Sequence, residues 1–535
     1  MTRYVFVTGG VLSGLGKGTI AASIGFLVKS CGLNVTILKI DPYLNVDAGS
    51  MSPYVHGEVF VTEDGGETDM DIGHYERFLG IDLSKKNSIT SGKIYYSVIM
   101  KERRGDYHGQ CVQVIPHVTN EVKERIREIA RETNADIAIV EIGGTVGDIE
   151  GLPYQEAARQ MRFEEGDSNT FYVHLGLAPI LSSGELKTKP IQHSVQELRR
   201  IGIQPDAIIA RSLIHLDSEA RQKIALYSNI PPRAVFSCPY TDSPYEVPIM
   251  LKEQGFTKYL FEKLMLNYKE PEISAWIDFV NKLKENNHSK QVKIVMIGKY
   301  TKIKESYISI IEAITHASAW SNVKPHLEWI ESSDIEDNPS LINELGSAHG
   351  ALILPGFCKR GAEGAIMAIK RLRELGRPTL GISFGMQLMV IEAARNLAGL
   401  ANANSTEIDP STPDPVVDLP RELAGFNVTG GVLRLGAKKI LLEPETLAWK
   451  IYGSREIYER HRHRYVVNPK YAGILEASGL RISGYSEEGY PEIVELRGRD
   501  AFYLGIQAHP EFRSKPLLPS PLYLSFIKQV ASVEV

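Results

Sequence analysis

The sequence predicts an α/β protein with mostly parallel sheets and helices on both faces, because short apolar, β-branched runs alternate with longer amphipathic segments. YVFVTGG (4–10), NVTILKI (34–40), ADIAIVEIGG (135–144), NTFYVHLGL (169–177) and PDAIIARS (205–212) read as buried strands. TIAASIGFLVKSCG (19–32) and NEVKERIREIARETN (120–134) have helical periodicity between them. The alternation pauses over a charged, polar stretch at 267–291 that carries one amphipathic helix and reads as a linker. It resumes in VKIVMIGKY (292–300), GALILPGF (350–357), RPTLGIS (377–383) and YLGIQAHPEF (503–512). A chain of 535 residues is too long for one core. The expected division is therefore a first domain at 1–266 and a second at 292–535, with NANSTEIDPSTPDPVVD (402–418) as an exposed loop.

A net charge of −5 carries no bias toward nucleic acid or a membrane surface, so neither is expected as a partner. Cys31, Cys111, Cys238 and Cys358 lie far apart, without a CxxC or a Cys/His cluster. That pattern fits a reducing compartment and argues against a disulfide framework and structural zinc. MTRYVFVTGG has too short an apolar run for a signal peptide, and no run of 18 apolar residues predicts a membrane span. A soluble, cytoplasmic protein is the expectation.

In the first half, VTGGVLSGLGKGT (7–19) joins the first strand to the first helix. Its glycines let backbone N–H groups and a helix N-terminus face a polyphosphate, and Lys17 adds a cation. Gly18 stands where a phosphate loop usually carries its metal-binding hydroxyl, and Thr19 follows one place late. A nucleotide site also needs carboxylates for a hard cation. Asp69 and Asp71 are two apart and would share one side of an extended chain, and Glu141 closes the apolar run IAIVEI at a sheet edge. Lys187 and Lys189 just precede a helical segment and suit a second anionic group.

In the second half, TLGISFGMQ (379–387) holds Gly381, Ser383 and Gly385 in G-x-S-x-G spacing, a strand-to-helix elbow that exposes a nucleophile. His509 and Glu511 in AHPEF are two apart and would point one way on a strand, giving a base and its orienting acid.

These residues sit in longer stretches that resemble the CTP synthase family almost end to end. The stretches are VTGGVLSGLGKG, KIDPYLNVDAGSMSP, HGEVFVTEDGGETDMDIGHYERF, RRGDYHGQCVQVIPHVT, VEIGGTVGDIE, GELKTKPIQHSV, NANSTE, ERHRHRYVVN and QAHPEF. The resemblance implies a P-loop-like (dethiobiotin-synthetase-like) parallel-sheet domain followed by a flavodoxin-like class I glutamine amidotransferase domain. It implies a ligase that uses ATP to phosphorylate UTP at O4, then displaces the phosphate with ammonia released from glutamine to give CTP. Mg2+, GTP as allosteric effector, CTP as feedback inhibitor and a homotetramer come with it.

Matched residue by residue, Gly14, Leu15, Gly16, Lys17, Gly18 and Thr19 would cradle ATP, with Lys17 and Lys39 at the transferred group and Asp71 and Glu141 on Mg2+. Ser13, Asp148, Ile149, Glu150, Lys187, Thr188, Lys189, Pro190, Ile191, Gln192 and Lys223 would contact UTP or CTP. Phe384, Gly385, Met386, Gln387, Glu407 and Arg464 would hold glutamine, with Ser383, His509 and Glu511 as the hydrolytic set.

The sequence departs from the family at three places. The family elbow carries cysteine where Ser383 stands. LPGFCKRG (354–361) has one glycine fewer than the usual P-G-G-F-G-x-R-G, and Cys358 replaces another. PPRAVFSCPYTDS (231–243) is unlike the family's adenine-side stretch. A serine hydroxyl is far less acidic than a thiol, whose pKa is about 8.5, so impaired glutamine hydrolysis is expected. Two other readings of the same residues are a nucleotide-binding, non-catalytic assembly subunit and a serine hydrolase using Ser383.

Overall fold

The computed structural model describes residues 2–420, 434–498 and 502–534. The chain forms two compact units, Met1–Ser50 with Asp71–Val280 and Met51–Met70 with Asn281–Val535.

In the first unit, a seven-stranded sheet runs Ser88–Thr90, Val35–Asp41, Ile137–Ile142, Arg3–Gly9, Thr170–Leu177, Ala207–Ser212 and Val235–Pro239. Every pairing is parallel. Val35–Asp41 and Ile137–Ile142 are buried along their whole length, as strands covered by helices on both faces must be. The strands expected from sequence are present within a few residues. The short Ser88–Thr90 and the proline-flanked Val235–Pro239 were not foreseen. Strand order reverses around Arg3–Gly9, which pairs with Ile137–Ile142 on one side and Thr170–Leu177 on the other. The crevice beyond the carboxyl ends of such central strands is where open α/β sheets bind ligands.

The stretch read as a linker contains the helix Ser274–Glu285, which buries Trp276, Phe279 and Val280. The Trp276 ring lies 4.2 Å from Phe26 and 5.2 Å from Phe78, and its indole N–H donates to the Tyr245 carbonyl at 2.8 Å.

The second unit holds a nine-stranded sheet in the order Val323–Glu331, Lys290–Gly298, Gly350–Ile353, Thr379–Ile382, Tyr503–Ile506, Pro491–Leu496, Leu480–Ser486, Arg434–Leu442 and Glu456–His463. The first five strands pair in parallel and the remainder antiparallel, so the mostly parallel pattern covers only part of this sheet. Alternate residues of Lys290–Gly298 enter separate apolar clusters, Val295 and Ile297 in one and Ile294 and Met296 in the other, so both faces are covered. The 402–418 segment is not a plain loop: Ala403–Ser405 and Asp414–Asp418 pair as strands, because Val416 and Val417 are buried despite their Pro- and Asp-rich surroundings.

Residues 51–70, placed by sequence in the first domain, cluster with the second unit. Their anchors are charge and aromatic contact. Glu58 accepts from Ser309 N–H at 3.2 Å, Glu63 pairs with Arg460 at 2.8 Å, Glu67 pairs with Arg462 at 2.9 Å, and Phe60 meets the Phe512 ring edge-on at 5.1 Å. Among the described residues, no helix is long and apolar enough to cross a membrane.

Trp276 is 2% exposed. Trp276→Ala leaves a cavity under the first unit and is expected to lower its unfolding free energy by about 3–5 kcal/mol, read from urea midpoints followed by near-UV circular dichroism.

Candidate functional site

Two sites follow from the chain, one in each unit. In the first unit, the strand Arg3–Gly9 ends in a loop that enters the helix Lys17–Ser30. Gly14 (φ 76°) and Gly16 (φ 84°) take left-handed conformations that glycine adopts at little cost. Gly16 precedes a helix with no side-chain cap and no acid in its first turn, so its leading N–H groups stay available to an anion.

Lys17 turns back under the loop and donates to the Gly144 carbonyl at 2.8 Å, and burial lowers its pKa. Lys39, near the carboxyl end of the strand Val35–Asp41, donates to Glu141 Oε1 at 3.0 Å and to Asp71 Oδ2, with Asp41 Oδ1 at 3.8 Å. Tyr75 donates its hydroxyl to Glu141 Oε2, and burial beside that carboxylate raises the phenol's pKa well above its usual value. A Cβ on Gly18 would lie 2.0 Å from Asp71 Oδ1. Gly18, out of place for a metal-binding hydroxyl, therefore makes room for an acid. The oxygens of Asp41, Asp71 and Glu141 form a hard donor set that suits Mg2+.

Asp69 and Asp71 do not share a side, contrary to the two-residue spacing on an extended chain. Asp71 opens the helix Met70–Leu79 and meets Lys39, whereas Asp69 Oδ2 lies 2.9 Å from His56 Nε2. Of the residues matched to the pyrimidine nucleotide, Ser13, Asp148, Ile149, Glu150, Lys189 and Lys223 are exposed. Lys187 pairs with Glu185, whose carboxyl is held low by Lys187 first and by Lys223 more weakly, so these two lysines converge. Gln192 donates to Thr188 Oγ1 at 2.9 Å. Ile191 is instead a core residue, packed where a Cβ on Gly176 would lie 2.7 Å from its Cγ1.

Sequence reasoning missed Asp41, Tyr75 and Arg211. Arg211 ends the run IIAR at the same sheet edge, a position that could have flagged it. Its guanidinium donates to the Cys238 carbonyl at 3.1 Å, stacks 4.4 Å over the Tyr240 ring, and would be 3.9 Å from a Cβ on Gly16.

In the second unit, Ser383 stands between the strand Thr379–Ile382 and the helix Phe384–Asn396 at φ 52°, ψ −108°. A non-glycine residue held there costs about 1–3 kcal/mol, the strain expected of a nucleophile elbow. The flanking glycines serve packing: a Cβ on Gly381 would be 2.4 Å from Met389 Sδ, and one on Gly385 would be 2.2 Å from the Ile353 carbonyl oxygen.

His509 and Glu511 do not lie on a strand, which ends at Ile506; His509 caps the turn Pro510–Arg513. They meet nonetheless, with Glu511 Oε1 2.8 Å from His509 Nδ1 and Phe512 stacked on the imidazole at 5.1 Å. The carboxylate can only accept, so Nδ1 donates and Nε2 keeps its lone pair. That Nε2 is buried without a hydrogen-bond partner among the described residues, Ser383 Oγ included.

Cys358 adopts φ 67°, the left-handed region that glycine favours, and its N–H donates to Glu407 Oε1 at 2.8 Å. Burial raises the Glu407 pKa, opposed by the Cys358 N–H, Lys299 and Arg464. Arg464 Nε is buried without a hydrogen-bond partner among the described residues. Met386 and Gln387 are buried in the elbow helix, and Gln387 Nε2 donates to the Tyr465 carbonyl at 3.0 Å and to Gln507 Oε1 at 3.1 Å. Lys299, also missed from sequence, donates to the Phe357 carbonyl at 2.6 Å and to that of Cys358, and lies 4.4 Å over the Phe384 ring.

Residues 3–266 match the family described as CTP synthase N-terminus, and residues 302–529 match glutamine amidotransferase class-I. The chain is 57% identical to the CTP synthase of Sulfolobus acidocaldarius over 98% of its own length and 99% of that protein's. It is 54% identical to the CTP synthase of Sulfurisphaera tokodaii over the whole of both chains. Among solved structures, the glutaminase domain of Trypanosoma brucei CTPS with bound acivicin is 32% identical, covering 46% of this chain and 95% of that one at a TM-score of 0.43.

Burial lowers the Lys299 pKa from 10.5 to about 8. Between those values the unfolded chain binds the extra proton, so stability from this group rises from about pH 8 and is fully present above 10.5. Lys299→Met is expected to flatten that rise, measured as urea midpoints against pH.

Proposed function

The chain belongs to the CTP synthase family, and from that premise we propose that it aminates UTP to CTP at the expense of ATP, using free ammonia well and glutamine poorly. The γ-phosphoryl group of ATP passes to O4 of the uracil ring. Ammonia then attacks C4 and expels inorganic phosphate, leaving CTP and ADP. The observation that carries this reading is the cluster of Lys39, Asp71 and Glu141 beside the Gly14–Gly18 loop, with room for Asp71 kept by Gly18.

Phosphoryl transfer asks a protein chiefly for positioning and charge neutralisation. Loop N–H groups and Lys17 supply these at the phosphates, and Lys39 neutralises the carboxylates and approaching phosphate oxygens. Asp71 and Glu141 would hold Mg2+, which would offset phosphate charge when bound. Exposed Asp148, Glu150, Lys189 and Lys223, with half-buried Lys187, are suited to the second triphosphate and its base. The same subsite would take CTP as feedback inhibitor. GTP would act on the glutaminase unit, and the exposed apolar side chains Tyr96, Ile99 and Met100 on the helix Ser91–Arg104 support a face for homotetramer assembly.

Glutamine is the poor nitrogen source for three reasons. Ser383 carries a hydroxyl that must lose its proton during attack, and the buried His509 Nε2 does not hydrogen-bond to it. The Cys358 N–H, in the loop that should face an oxyanion, is engaged by Glu407. A missing oxyanion donor alone costs roughly 10²–10³-fold in rate. Glu407 and Arg464 remain suited to glutamine's charged ends.

Purified chain with UTP, ATP and Mg2+ is expected to form CTP from ammonium at least ~10²-fold faster than from glutamine. No CTP from ammonium would reject the synthase reading, and equal rates would reject the impairment. Ser383→Cys is expected to raise the glutamine rate relative to the ammonium rate. Gly18→Ala, whose methyl would displace Asp71, is expected to cut ammonium-driven synthesis by ~10-fold or more at unchanged circular dichroism. Failure of a fluorophosphonate probe to label Ser383 separates this chain from serine hydrolases.

A further inference from the structure

The strand Glu456–His463 sets His461 and His463 two residues apart, so both imidazoles face the interior, where each is almost wholly buried. Glu492 on the strand Pro491–Leu496 reaches the same place and is 1% exposed. The His463 Nδ1 atom lies 2.9 Å from the Tyr465 carbonyl oxygen. A carbonyl only accepts, so Nδ1 carries the proton and Nε2 offers a lone pair. That Nε2 is 2.9 Å from His461 Nδ1, and Glu492 Oε2 is 3.8 Å from the same atom. Both carboxylate oxygens of Glu492 are buried with no hydrogen-bond partner among the described residues. A buried carboxyl without a partner is among the costliest groups in a protein interior and calls for a ligand, an ion or a water.

The geometry points to a binding site for a borderline divalent transition ion of the Zn2+ class, held by His461, His463 and Glu492. A tetrahedral ion with bonds of about 2.0–2.1 Å separates its ligand atoms by roughly 3.3–3.4 Å. The observed separations of 2.9 and 3.8 Å bracket that value, and the candidate ligand atoms all lie within 4.8 Å of one another. Small side-chain rotations would close the set. Metal entry requires His461 to carry its proton on Nε2, so that its Nδ1, His463 Nε2 and a Glu492 oxygen present lone pairs together.

Two imidazoles with one carboxylate favour Zn2+ or Co2+ over Mg2+, which prefers oxygen donors. The chain would thus carry two chemically distinct cation sites, an oxygen set in the first unit and a nitrogen-rich set in the second. Burial raises the Glu492 pKa to about 8, opposed by Arg434, whose own charge is offset by Glu488 at 3.0 Å. The Tyr465 carbonyl that orients His463 also accepts from Gln387 Nε2 of the elbow helix at 3.0 Å. That shared acceptor holds the other ring nitrogen of His463, as metal-bound imidazoles are usually held, and ties the site to the Ser383 element.

The test uses the full chain, stripped with a chelator, dialysed into Mg2+ buffer and titrated with Zn2+ against a chromophoric competitor. Roughly one equivalent per chain is expected. His463→Gln and the shape-conserving Glu492→Gln are each expected to weaken it by ~10–100-fold or more at unchanged near-UV circular dichroism. Cys111→Ser, which removes an exposed thiol, should retain the equivalent. Co2+ in place of Zn2+ should give a visible tetrahedral spectrum in the unaltered chain that Glu492→Gln abolishes. Absence of bound Zn2+ in the unaltered chain, or binding by the two ligand variants as tight as by the unaltered chain, would overturn the assignment.

Discussion

Lys39 is the cation around which the first unit's candidate chemistry is arranged. One ammonium faces Asp41, Asp71 and Glu141 at the carboxyl edge of a fully buried parallel sheet. Acids drawn so close in a poorly solvated crevice would repel one another strongly without a counter-charge, and breaking such a cluster costs more than its net attraction suggests. The arrangement depends on the backbone around it. Gly18 leaves the space that Asp71 fills, and Lys17 is drawn under the loop by the Gly144 carbonyl, just past the end of the strand Ile137–Ile142. The loop is thereby left open to an anion while its surroundings already hold the charges that nucleotide chemistry needs.

The second unit shows a different economy. Its elbow keeps the strained backbone of a nucleophile site, the oriented imidazole and the acid behind it, while the atom that would attack is an oxygen. Strain of this kind persists only where the surroundings over-determine it. Here Met389 packs against Gly381 and the Ile353 carbonyl against Gly385, so the elbow is enforced by its neighbours whatever side chain Ser383 carries. Cys358 likewise keeps a left-handed backbone although it is not glycine. Substitution at these positions changes reactivity without freeing the chain to relax into another shape.

Most strands of the first sheet were legible because a strand covered on both faces must be apolar throughout, as Ile137–Ile142 is. Val235–Pro239 was hidden by its flanking prolines, and Asp414–Asp418 by a polar composition in which only Val416 and Val417 are buried. The antiparallel half of the second sheet was not separable from the parallel half, since strand direction leaves little mark on single-strand composition. Among site residues, the glycine loop and the elbow were readable as local backbone geometry. Asp41, Tyr75 and Lys299 were not, because nothing in their own neighbourhoods announces the partner they meet. His461 and His463 show only an alternate spacing, and their third member, Glu492, lies on another strand.

By itself, then, the sequence determined where the chain turns, which runs are buried and which short segments carry phosphate-loop and elbow chemistry. Those properties follow from φ/ψ limits and side-chain periodicity over a few residues. Only the tertiary structure decided that Asp71 joins Lys39 while Asp69 turns to His56, that residues 51–70 pack with the second unit, and that His509 finds Glu511 on a turn. Each of those outcomes depends on which distant or differently folded segment supplies the opposite charge. Complementary charges are common along the chain, so only packing selects among them.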